Sequence, residues 1–189
     1  MRLRALSCWL VLGSLALVHA APLVYELNPA HTRPTFDVIR LGFLHTPGVF
    51  ADATGELTLD PDTKVGSIEV VIKTASLTTG SASRDAYLKG PEFFNVAMYP
   101  TATVTAKDFS LDGHFPARVD GTMTMLGISK PIALTLVSMQ CDAANAGQKA
   151  VCHGQVSTRI QRSEWGMSRY QLFVANTVTI DVAVEAVSR

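Results

Sequence analysis

An antiparallel all-β architecture, a barrel or a sandwich, is what the sequence predicts, and three observations carry the prediction. Apolar residues recur at every second position in segment after segment, the period of a strand with one buried face. The connections between those segments are too short to hold crossover helices. Turn formers, namely Asp60-Pro61-Asp62, Asp112-Gly113 and Gly127-Ile128-Ser129-Lys130-Pro131, punctuate the pattern, each fixing the chain where a ladder cannot continue.

Taken in order, the chain begins with Arg2 and Arg4, an apolar run from Ala5 to Val18, and the small residues Ala20 and Ala21. That is the layout of a cleavable signal peptide. The run is shorter than the roughly 20 apolar residues of a membrane span. The expected cut follows Ala20, leaving one domain over residues 21–189. Its 14 Lys plus Arg face 16 Asp plus Glu, a balance unsuited to gripping nucleic acid.

The first clear strand places Ile68, Val70 and Ile72 on one face. Ala102, Val104 and Ala106 form the next inward set, separated by threonines suited to an exposed pleated surface. Val119, Gly121, Met123 and Met125 follow, then Ile132, Leu134 and Leu136, then Val156, Thr158 and Ile160, and last Val178, Ile180, Val182 and Val184. Between Thr74 and Pro100 the alternation stops. Ser83–Lys89 reads as a short helix, ended by Gly90 and Pro91. Phe93, Phe94, Met98 and Tyr99 are too apolar for a free surface loop, so this segment either plugs one end of the fold or lines a cavity entrance. Asp85 favours the helix N-terminus electrostatically, and Arg84 and Asp85 are also placed to rim such an entrance.

With Cys8 removed in the signal, Cys141 and Cys152 remain. An even count in an exported chain points to a disulfide. The two flank a polar loop of small residues, so the bridge would close a hairpin. A metal site would need further ligands, and His153 is the single candidate nearby in sequence.

A search for chemistry finds no nucleophile elbow, zinc-protease motif, phosphate loop or dinucleotide fingerprint. His31, His45, His114 and His153 are scattered without ligand spacing. No catalytic residue, metal or cofactor is predicted. The inward face is nearly free of charge and carries flexible thioethers at Met123 and Met125 beside Gly121. A barrel of about eight strands can fill its interior with side chains or hold one small ligand, and composition leaves both open.

Several blocks in order resemble the YceI-like family of bacterial periplasmic proteins: Tyr25–His31, Phe36–Gly42, Gly48-Val49-Phe50, Arg84–Leu88, Glu92–Pro100, Gly121–Pro131 and Trp165-Gly166-Met167. The resemblance implies a lipocalin-like antiparallel barrel, with an elongated apolar tunnel for a polyisoprenoid or a similar long-chain amphiphile such as a quinone tail or fatty amide. It implies no catalysis. The family commonly has His where this chain has Arg40 and Tyr87, so head-group contacts through those histidines do not carry over. Asn28 replaces the usual Asp before Pro29, and both suit a turn.

Mapped onto the alternation, the ligand-facing set is Phe36, Val38, Val70, Ile72, Met123, Met125, Leu134 and Leu136, with Phe93, Phe94, Trp165 and Met167 at the ends. For each, ordinary core packing is the competing reading. The expected function is periplasmic binding or transport of a long isoprenoid or fatty lipid, with transient membrane contact. A structural or adhesive domain with a filled barrel, and an enzyme acting on isoprenoids, are the alternatives.

Overall fold

The computed structural model describes residues 21–111, 113–145 and 147–189; the expected signal peptide lies outside them. Among the described residues the strands are β1 (Leu23–Leu27), β2 (Arg33–Arg40), β3 (Leu44–Phe50), β4 (Ala53–Leu59), β5 (Val65–Lys73), β6 (Leu77–Thr78), β7 (Thr101–Ser110), β8 (Ala117–Met125), β9 (Ile128–Asp142), β10 (Val151–Gln161) and β11 (Val174–Ser188), joined by one helix, α1 (Ala82–Lys89). The order β1-β4-β5-β7-β8-β9-β10-β11 returns to β1 and closes the sheet. β2 continues along β11 beyond β1, and β3 pairs with β2. β1 with β2, and β3 with β4, therefore act as two interrupted wall strands. The result is the expected eight-stranded antiparallel barrel, with each wall strand beside its neighbour in sequence.

The two ends of the barrel differ. Near the termini Tyr25, Leu27, Leu57, Leu59, Ala150, Cys152 and Ala186 pack into a closed core. Toward the other end, inward side chains such as Val70, Val104, Val178, Ile180 and Val182 keep part of their surface, because they look into empty space.

Four wall strands change inward parity between the filled and hollow halves. Tyr25 and Leu27 point in from β1 but Pro34, Phe36 and Val38 from β2; Thr46 and Phe50 point in from β3 but Ala53, Leu57 and Leu59 from β4. In β7 the inward set passes from Ala106 to Phe109 and Leu111 through Asp108, at φ 54°. In β9 the pairing with β10 skips Val137, so Leu136 and Met139 both reach the interior. Such bulges bend a strand and sharpen its twist.

Two turns depart from expectation. The reversal at Gly127–Pro131 is tighter, because Leu126 and Gly127 alone form it, both at positive φ, and β9 begins at Ile128. Pro131 lies inside β9, where β8 is the paired neighbour and the ladder to β10 starts only at Leu134; proline is tolerated on such an unpaired edge. A two-residue turn was expected at Asp112-Gly113. Asp112 lies outside the described residues, and β7 and β8 stop at Ser110 and Ala117, which leaves a wider connection.

The disulfide is present. Cys141 and Cys152 are direct cross-strand partners of β9 and β10, with Cα atoms 4.0 Å apart. Among the described residues no helix is long and apolar enough to cross a membrane.

Candidate functional site

The hollow half encloses a cavity of about 360 Å³. Its walls are the inward faces of β2, β3, β5, β7, β8, β9, β10 and β11. Its cover is the segment between β6 and β7 and the loop between β10 and β11. α1 lays Arg84, Tyr87 and Leu88 on the cavity, the i, i+3, i+4 spacing of one helix face. Asp85, one residue on, instead accepts hydrogen bonds from Thr78 at the end of β6 and Thr79 in the loop before α1. Those bonds, Thr79 first, hold its carboxyl below the usual value.

Ten of the predicted ligand-facing residues come together here: Phe36, Val38, Val70, Ile72, Phe93, Phe94, Met123, Met125, Leu134 and Met167 all line the cavity. Phe36, Phe50 and Phe94 form a chain of ring contacts, with centroids 5.7 and 5.5 Å apart. The Phe36 ring lies over Gly48, so close that any side chain there would displace it.

Leu136 and Trp165 are placed differently, in the packed core beside the cavity. Leu136 stands just before the β9 bulge, toward the filled half. Trp165 is 1% exposed, and its indole N–H donates to the Met123 carbonyl at 3.3 Å; the ring buttresses the cavity wall from behind. Met98, expected to pack, is 67% exposed.

Polar groups that the prediction passed over gather at the covered end. Arg162 is buried, and its guanidinium donates to the carbonyls of Met167, Arg169, Val174 and Ala175. It pins the loop that carries Met167 and Tyr170 over the cavity, and burial pushes it below its ordinary pKa. Tyr87 donates to Glu92 and meets the Tyr170 hydroxyl at 3.0 Å, while Arg169 pairs with Glu92. These contacts tie the two cover segments together, and the bond to Glu92, which only the neutral phenol can donate, drives the Tyr87 pKa upward. Strand alternation had no means of finding such residues, since Tyr87 lies on α1 and the others outside the wall strands. Among the described residues no group of His, Cys, Asp and Glu is arranged to hold a metal.

The model of the YceI-like domain matches residues 25–186. The chain belongs to the YceI-like domain family. A UPF0312 protein of Pseudomonas savastanoi pv. phaseolicola is 32% identical over 133 residues, which cover 70% of this chain and 69% of that protein. Among solved structures, BcnA of Burkholderia cenocepacia superposes with a TM-score of 0.69 at 21% identity, covering 84% of this chain and 98% of BcnA. A polyisoprenoid binding domain from Saccharophagus degradans superposes with a TM-score of 0.65 at 16% identity, covering 88% and 99%. Both share the barrel. On this YceI-like domain the family-like blocks fall at both ends of the barrel. Arg84–Leu88 and Glu92–Pro100 cover the cavity, whereas Tyr25–His31 interrupts the wall strand at the filled end, where Asn28 and His31 hold Glu185 of β11.

Proposed function

We propose that this protein is exported, processed near Ala20, and in the periplasm binds or carries a long apolar lipid such as a polyisoprenoid, a quinone tail or a similar amphiphile. The observation that carries this reading is the hollow half of the barrel. A core that needed only stability would be filled, as its other half is. An apolar cavity of this kind suits an aliphatic chain. The S. degradans relative, described as binding polyisoprenoids, supports the same class of ligand. Binding rather than turnover is favoured by the lining, which among the described residues holds no His, Cys, Asp or Glu to act as nucleophile or base.

Membrane contact belongs to the same reading. Leu41 and Phe43 on the β2–β3 turn are 57% and 72% exposed, and Leu172 and Phe173 on the β10–β11 loop are 93% and 58% exposed. The Leu41 amide donates to the Phe173 carbonyl at 2.7 Å, joining the two tips. Their immediate neighbours Arg40 and Val174 line the cavity. An exposed apolar patch continuous with a lipid cavity fits a bilayer surface from which the ligand enters.

Organic extraction of the purified protein followed by mass spectrometry tests the central reading. A long-chain lipid near one per protein is expected. Recovery of none, together with no uptake of an added fluorescent polyene chain, would overturn it.

A further inference from the structure

Among the described residues, every charged side chain on the cavity wall is an arginine: Arg40 from β2, Arg84 from α1 and Arg162 from the turn after β10. A guanidinium stays charged at physiological pH, and a charge set against apolar walls is costly until hydrogen-bonded or paired. The protein itself meets Arg162, whose donors are taken by backbone carbonyls. Arg40 and Arg84 are met only in part. Arg40 donates from Nε to Thr46 Oγ1 at 2.6 Å. Arg84 donates from Nε to Thr79 Oγ1 at 2.7 Å, and from one terminal nitrogen to the Thr79 carbonyl at 2.8 Å.

Four cations away from the cavity wall have carboxylates: Lys73 with Asp52, Arg118 with Asp120, Arg169 with Glu92, and Arg189 with Glu26 and Glu56. Among the described residues neither Arg40 nor Arg84 has one in ion-pair range, and neither Asp nor Glu lines the cavity. Asp85, next to Arg84, is engaged by Thr78 and Thr79 instead.

We propose that the ligand is an amphiphile with an anionic head group, a carboxylate or a phosphate, received by Arg40 and Arg84 while its tail lies along the apolar walls. This rests on the lipid-binding reading above and narrows its substrate class. The terminal nitrogens left on the two guanidiniums are the donors such a head group takes. A free inorganic anion would lose its hydration against walls that offer it nothing else.

The test uses three probes with one tail, geranylgeraniol, geranylgeranoic acid and geranylgeranyl phosphate, each displacing a neutral fluorescent lipid from the delipidated protein. Both anions should bind roughly tenfold or more tightly than the alcohol, the scale of a charge-assisted hydrogen bond. Arg40→Gln or Arg84→Gln should bring that ratio toward one by weakening the anions more than the alcohol, and Arg40→Lys should recover part of it. Equal binding of alcohol and anions by the unsubstituted protein would overturn the proposal and leave the lipid-binding reading standing. A preference that survives both glutamine variants, or displacement of the probe by inorganic phosphate alone, would overturn it as well. If no probe binds, both readings fail. Should Arg84→Gln unfold for want of its Thr79 contacts, the Arg40 variants and the probe series on the unsubstituted protein still decide.

Discussion

Substituting alanine for one aliphatic residue in each half of the barrel separates packed core from cavity wall by energy. Leu57 is 1% exposed and enclosed by the filled half. Leu57→Ala leaves a new void there and should cost about 3–5 kcal/mol, the upper part of the range for such truncations. Ile180 faces the existing cavity of about 360 Å³. Its side chain has protein on one side only, so Ile180→Ala forfeits about half the usual contacts and should cost about 1–2 kcal/mol. Urea denaturation of the delipidated variants gives both values, provided the slope with denaturant is unchanged. The mass of co-extracted lipid is read in parallel: Ile180→Ala should alter the amount or length of bound chain, and Leu57→Ala should not. Equal stability losses, with identical bound lipid, would refute the division into filled and hollow halves. Met123 and Met125 are 5% and 6% exposed although both line the cavity, so alanine at either should fall between the two extremes.

Serine in place of both cysteines should cost about 2–4 kcal/mol, as expected for loss of a short-loop crosslink; thermal melts with and without reductant measure it, and non-reduced wild-type protein should take up no alkylating label when denatured. Acid should weaken the joint between the β1–β2 turn and β11. His31 and Asn28 hold the Glu185 carboxyl below its ordinary 4.5, so the stability it adds is complete above about that pH and is lost as the pH falls through the folded value. Glu185→Gln should remove this part of the acid slope while preserving the rest, as melting temperatures from pH 7 to pH 3 would report. Replacing Phe43 and Leu172 together by Ser should reduce flotation with phospholipid vesicles and slow lipid uptake from them, leaving uptake of detergent-dispersed ligand unchanged; unaltered flotation would show that the exposed tips do not contact the bilayer.

Much of the fold was legible in the residues because period-two alternation is a local signal. Val70 and Ile72, Met123 and Met125, and Val178 and Ile180 each declare their inward face without reference to any other strand. The turn at Asp60 was equally plain, and the structure shows its carboxylate accepting from the amides of Asp62 and Thr63. The disulfide followed from two cysteines placed on either side of a hairpin loop. Family resemblance, carried by motif order, supplied the expectation of a cavity that alternation could not.

What the tertiary structure decided was where alternation resets and what the irregular segments meet. The bulges at Asp108 and Val137 switch which side of the chain faces inward, and a single inserted residue is invisible to a pattern read strand by strand. Leu136 and Leu134 look identical in sequence, yet only Leu134 reaches the cavity. Arg162 and Tyr170 come from segments without periodicity, Arg84 from a short helix that the sequence placed only at an entrance, and Arg40 from a strand end. They face one cavity only because barrel closure brings α1, β2 and the loop before β11 over the same opening. Local sequence specifies which face a strand buries; whether the space behind that face is filled depends on side chains distant in the chain, and only closure of the barrel sets them against one another.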